Sequence, residues 1–236
     1  MTNTIAIARR ELMSYYKSFL FYAVTAAFLV INGYFFAVSV ALSRSSQLSQ
    51  VFPTMYTILL LISPVLTMRL LAEEQRTGTI ELVLTSPVRD TELVVGKFLA
   101  GFGLLVSMLI LTGFYPILLS MYGQPDQAGL VGGYVGALLF GGTTIAVGLF
   151  TSSLSANQIV AAVLSFAILL ILWVIDAMGS LFGGPAGSVA SYLAVYTHFT
   201  DMTQGVIDTK DVVYFLTVIL AALFLTARSV ETRRWR

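Results

Sequence analysis

Ile159-Val-Ala-Ala-Val-Leu-Ser-Phe-Ala-Ile-Leu-Leu-Ile-Leu-Trp-Val-Ile-Asp-Ala-Met178 contains a single ionisable residue, Asp176, near its end. A helix needs about 20 mostly apolar residues to cross the hydrocarbon core of a bilayer. A strand of a membrane barrel would alternate apolar and polar residues over about ten positions. This run is continuous and too long for such a strand, so it reads as a membrane-spanning helix. Five more runs read the same way: Phe19 to Leu42, Thr54 to Leu71, Phe98 to Met121, Leu130 to Phe150 and the shorter Val212 to Ala227. The chain is therefore expected to be an all-α integral membrane protein with six transmembrane helices.

Composition points the same way. Charged residues make up 11 % of the chain and hydrophobic ones 57 %, whereas a soluble domain is about 25 % charged. So few charges cannot coat a water-soluble globule of 236 residues. With no cysteine there can be no disulfide framework, thiolate metal site or cysteine nucleophile. A single histidine, His198, excludes a multi-histidine metal site within one chain. A net charge of +1 with no basic field argues against a nucleic-acid partner.

Charge sets the orientation, because Lys and Arg accumulate on the cytoplasmic side. Arg9, Arg10 and Lys17 precede the first span. Arg69, Arg76, Arg89 and Lys97 lie between spans two and three. Arg228, Arg233, Arg234 and Arg236 follow the sixth. Only Arg44 and Lys210 fall on the other side. The pattern fits both termini in the cytoplasm, with Trp235 as an interfacial anchor. A cleaved signal peptide is not expected: about 18 residues precede the first apolar run, which exceeds the 7–15 residues of a signal core.

Three segments outside the spans carry pattern. In residues 1–18, Ile5, Ala8, Leu12, Tyr15 and Phe19 recur at helical spacing, while Arg10, Ser14 and Lys17 take another face. This predicts an amphipathic helix in the cytoplasmic interface, serving either as a plain anchor or as an elbow that transmits force. The segment 72–97 is the richest. Together with Arg69 it includes Glu73, Glu74, Arg76, Glu81, Arg89, Asp90, Glu92 and Lys97. Gly78 should end one helix, Thr77 or Thr79 should cap a short second one holding Glu81, Leu82 and Leu84, and Pro87 should stop it. The segment is either a solvated loop or a docking surface whose apolar knob, Leu82-Val83-Leu84, anchors a partner among charges. Residues 179–211 open on a Gly- and Pro-rich turn and continue with Val189, Leu193, Tyr196 and Phe199, predicting a helix or re-entrant hairpin on the outer side.

Chemistry is sparse. No stretch matches the phosphate-binding pattern G-x-x-x-x-G-K-[ST]; Thr91 to Phe98 comes nearest and lacks both the first Gly and the final hydroxyl. No catalytic residue is expected. His198 lies near Asp201 in the outer segment and is expected to be packed or interfacial, and Asp176 is expected to reach the headgroups. Asn32, Thr143 and Thr144 fall within spans, where such groups bond across helices more often than they hold substrate. Pro64 and Pro116 should kink spans two and three.

These residues resemble the membrane-spanning subunits of type-2 ABC transporters, the ABC exporter permeases. The closest likeness is to the small gliding-motility-type permeases, relatives of the copper-site maturation permeases. Three stretches carry it. The first is Arg9-Arg10-Glu11-Leu12 with Tyr15-Tyr16 and Ser18, leading to Phe28-Leu29 and Gly33-Tyr34-Phe35-Phe36. The second runs from Pro64 through Arg69 to Glu73-Glu74, then Arg76-Thr77-Gly78-Thr79 and Glu81 to Thr85-Ser86-Pro87. The third is His198-Phe199, Gly205 to Asp208, Asp211 to Tyr214 and Arg233-Arg234-Trp235.

The resemblance implies a single type-2 transmembrane domain over 1–236 in the plasma (inner) membrane of a bacterium. It implies a second permease copy or a sister permease, and two copies of a cytoplasmic ATP-binding subunit that hold ATP and Mg, this chain holding no cofactor. Arg9, Arg10, Glu11, Arg69, Glu73, Glu74, Arg76, Thr77, Gly78, Thr79 and Glu81 would meet the ATPase, with Leu82, Leu84, Thr85, Ser86 and Pro87 in the coupling helix. His198, Asp201 and Asp208 would belong to the outer segment. The expected function is ATP-driven export by a chain that is not itself the ATPase. The alternatives are a mechanotransmitter that drives an extracytoplasmic partner, and a stand-alone channel or membrane enzyme.

Overall fold

A computed structural model describes residues 2–43, 51–79, 88–122, 126–182, 184, 189 and 192–234, and among them finds helices and no strand. In chain order the helices are α1 (Thr2–Tyr16), α2 (Phe19–Ser43), α3 (Phe52–Thr67), α4 (Ala72–Thr77), α5 (Asp90–Thr112), α6 (Phe114–Tyr122), α7 (Gln127–Leu154), α8 (Gln158–Phe182), α9 (Val195–Thr203) and α10 (Thr209–Arg234). Among the described residues, six helical stretches are long and apolar enough to cross a membrane. Buried residues make up 56–67 % of the apolar window in the α3–α4, α5–α6 and α7 stretches, but only 17–22 % in α2, α8 and α10. The first three therefore form the centre of the bundle, and the other three form its apolar outside.

α7 occupies the middle and packs on α3, α5, α8, α9 and α10. Its small residues make this possible. A Cβ at Gly148 would overlap the Thr67 side chain at the end of α3, and one at Gly133 would enter the Phe52 ring. Bare backbone therefore lets α3 and α7 approach closely, as small residues do where membrane helices meet.

The two prolines behave differently. Pro116 has no N–H, so the carbonyl four residues earlier, on Thr112, loses its helical donor. The Tyr134 hydroxyl of α7 donates to that carbonyl at 2.9 Å. The third span breaks at Gly113, whose N–H turns back to the Ile110 carbonyl at 3.0 Å, which separates α5 from α6. Pro64 lies inside α3, which ends three residues later when the Met68 N–H bonds to the Pro64 carbonyl at 2.9 Å.

Element edges depart from the hydropathy reading where polar chemistry sets them. α7 starts earlier than the apolar run because Asp126 caps it, accepting from the Ala128 and Gly129 N–H groups at 3.1 and 3.3 Å. α10 runs to Arg234 rather than stopping near Ala227. Its charged last turns continue the helix, with Arg228 donating to Glu231 at 2.7 Å. The second span's helix ends at Thr67, and α4 follows after a short turn. The short helix expected at Glu81, Leu82, Leu84, Thr85, Ser86 and Pro87 lies outside the described residues.

Candidate functional site

The richest polar chemistry lies at the end of the bundle where α1, α4 and the start of α5 meet. It begins with the exit of the chain from α3. Ser152, fully buried near the end of α7, accepts from the Leu71 and Ala72 N–H groups, both at 3.0 Å, and donates to the Met68 carbonyl at 3.1 Å. The Gln75 side chain donates to the Ser152 and Ser153 carbonyls at 3.3 and 3.0 Å. A six-residue helix cannot persist alone. These bonds satisfy backbone groups where the chain turns and fasten α4 to α7.

The opposite side of α4 faces a cluster of charges. Lys97 lies on the buried stripe of α5 with Leu93, Ala100 and Leu104. Its side chain is 1 % exposed, and its Nζ stands 2.9 Å from Glu74 Oε1 and 3.3 Å from Glu11 Oε1. Arg10 closes the group, 3.1 Å from Glu11 and 3.6 Å from Glu74. Two cations and two carboxylates thus neutralise one another across three helices. A buried charge is tolerated when it is paired in this way. Beside them Arg69 holds Glu73 with two bonds at 2.7 and 3.0 Å and donates to Ser18 at 3.3 Å. The Tyr15 hydroxyl donates to the Leu66 carbonyl at 2.9 Å.

Of the apolar stripe expected on α1, Leu12 and Tyr15 face inward, while Ile5 is 66 % exposed and Phe19, 85 % exposed, already belongs to α2. Ile7 and Leu12 rest over Gly96 and Gly103 of α5, with Glu11 inside beside Lys97. Arg9 is exposed. Arg76, Thr77, Gly78 and Thr79 form an exposed ridge where α4 ends. Gly78 adopts φ 72°, the left-handed turn that glycine favours at a helix end. The Thr77 and Thr79 hydroxyls sit 2.9 Å apart, and Thr77 donates to the Glu73 carbonyl at 2.9 Å.

A second polar centre lies at the opposite end. The His198 partner is Asp211, at 2.6 Å from Nδ1, rather than Asp201. Its Nε2 faces the Tyr192 carbonyl at 3.0 Å. Both ring nitrogens thus lie within hydrogen-bond distance of an oxygen. Asp211 is wholly buried, and the imidazole stacks on Tyr214 at 4.1 Å. Asp201 and Asp208 instead lie around Lys210, at 3.9 and 3.3 Å. The Lys210 N–H and ammonium hold the Asp208 carboxyl below the usual carboxylate range.

Within the spans, Thr144 meets Ser63 of α3 at 2.8 Å, a bond between helices. Thr143 bonds to the Leu139 carbonyl of its own helix at 3.0 Å. Asn32 is buried and donates to the Phe28 carbonyl at 2.8 Å, also within its own helix. The Asp176 side chain lies outside the described residues. Among the described residues, no three His, Cys, Asp or Glu are grouped to hold a metal ion.

Lys97, Ser152, Gln75 and Asp211 are residues to which the sequence reading gave no individual role. Two of them carry a signal. Lys97 sits on the apolar stripe 93, 97, 100, 104, and Asp211 starts the stripe 211, 215, 219, 222. A charge on a buried stripe needs a buried partner, and that requirement marks it.

The family model described as "ABC-2 family transporter protein" matches residues 37–229. A search of curated proteins found no match.

Proposed function

Because the chain belongs to the ABC-2 family of transporter proteins, we propose that it is the permease half of an ATP-driven exporter and couples to a separate cytoplasmic ATPase. In this reading the end with α1 and α4 faces the cytoplasm and both termini lie inside. α1 is the elbow helix, lying at the inner interface. Two ATP-binding subunits, carrying ATP and Mg, dock beneath two permeases in the plasma membrane. The second permease is another copy or a sister chain.

The observation that carries this reading is the build of α4. One side is bonded into the bundle through Ser152 and Glu74, and its far end presents Arg76, Thr77, Gly78 and Thr79 to solvent. A rigidly held, exposed polar ridge at the inner face suits a docking partner. It also continues directly into 81–87, the segment assigned to the coupling helix. Glu73 flanks the ridge with partial exposure. Glu74 faces inward and serves the internal charges. Export would follow a path along the interface between the two permeases.

The test is co-purification from membranes with the co-expressed ATPase, reading mass and hydrolysis together. Wild type is expected as two permeases with two ATPases. Arg76→Glu is expected to lower ATPase capture about tenfold or more, since a central interface contact is worth about 2 kcal/mol. A wild-type chain that purifies alone would sink the reading. Accumulation of substrate in inverted vesicles then separates export from mechanotransmission.

A further inference from the structure

The charge cluster does more than neutralise itself. We propose that Lys97 is the positioning residue that hands a displacement of α4 to both α1 and α5, so that the elbow and the third span move together with the docking end. This rests on the reading of α4 as the docking end.

The bonds around α4 fall into two sets. On one side α4 is fastened to α7 by Ser152 and Gln75. On the other, α1 lies along the start of α5, with Ile7 over Gly96 and Leu12 over Gly103, and Asn3 bonds to Glu92 at 3.4 Å. The two assemblies, α4 with α7 and α1 with α5, touch where α5 packs directly on α7, and at Glu74 a charged joint is added between α4 and the α1–α5 pair. The Glu74 Oε1 is 2.9 Å from Lys97 of α5 and 3.6 Å from Arg10 of α1. Of these two cations, Arg10 has a side chain 63 % exposed and Lys97 one 1 % exposed. Solvent screens the first and spares the second.

Lys97 also reaches Glu11 of α1 at 3.3 Å, so one ammonium joins three helices. Chemistry favours Lys in this position. An ammonium is a compact charge with three donors, able to address carboxylates arriving from different directions. Neighbouring glycines let α1 approach closely enough for Glu11 to reach it. An apolar side chain at 97 would leave α5 touching its neighbours but without the ammonium that binds it to their carboxylates, only the screened Arg10–Glu74 pair remaining.

The chain has no native cysteine, so a cysteine pair can be labelled cleanly. Ala6 on α1 and Ala156 in the turn after α7 are both exposed. Ala6→Cys with Ala156→Cys, spin-labelled in lipid nanodiscs, reports the separation of the two assemblies. It is measured for wild type, Lys97→Gln and Lys97→Arg, alone and with the ATPase before and after ATP trapping.

Wild type and Lys97→Arg are expected to give one narrow distance throughout. Lys97→Gln is expected to broaden it in the chain alone and to shift it in the ATP-trapped complex, while its ATPase partner still binds and hydrolyses ATP. A purely structural role would not separate hydrolysis from movement. Lys97→Gln as narrow as wild type in every state overturns the role of Lys97. A wild-type chain that captures no ATPase overturns the docking reading instead, and the distances in the chain alone still decide whether Lys97 is the joint.

Discussion

His198→Leu is expected to lower the unfolding free energy by about 1–3 kcal/mol, the usual cost of leaving a buried polar group without its hydrogen-bond partner. The geometry puts this pair in that class. The His198 and Asp211 side chains are 7 % and 0 % exposed, and they approach to 2.6 Å. Leucine fills part of the imidazole's place against Tyr214 but gives Asp211 nothing to bond, and the Tyr192 carbonyl loses its donor too. Adding Asp211→Leu should recover most of the loss, because the pair's removal takes the unsatisfied buried carboxyl group with it. Thermal unfolding of the purified single and double variants in detergent checks this. A double variant no more stable than His198→Leu would place the cost in packing rather than in the lost hydrogen bond.

Gly148→Ala is expected to cost about 3 kcal/mol, the upper part of the range for overpacking a tight core. The added methyl meets Thr67 at the crossing of the two central helices. Thr67 cannot turn aside without losing its bond to the Ser63 carbonyl at 2.8 Å. Thr67→Gly in the same chain removes the obstacle, so the two changes together should cost less than their sum. Strict additivity in unfolding measurements would show that the helices separate rather than collide.

The six spans were legible because hydropathy registers a continuous apolar run whatever its neighbours. Their order in space was not. α2 and α8 are as apolar as the central helices, and only contact divides inside from outside. Gly148 illustrates the limit. As a lone glycine in an apolar run it reads as ordinary membrane composition, and its role depends on Thr67, 81 positions earlier. His198 was expected to be packed or interfacial and is buried, but it was placed beside Asp201, its neighbour in sequence. Helical register instead brings Asp211 from the next element. Charge bias likewise marked 72–97 as the richest polar segment. It could not tell which acids face water and which face Lys97, because that depends on α1 and α5 lying side by side.

The Tyr134–Thr112 bond bears on how the chain enters the membrane. Until the fourth span is present, the carbonyl that Pro116 leaves bare has no partner in the hydrocarbon, where such a group costs several kcal/mol. Tyr134 supplies the donor from the very next span. The third and fourth spans are therefore expected to leave the translocon as a helical hairpin. A nascent chain truncated before Gln127 should insert its third span less completely than one extended past Leu154. Replacing Tyr134 with Phe should remove that advantage. An insertion assay that found equal efficiency for all three would mean that the bend is accommodated by lipid or by the translocon itself.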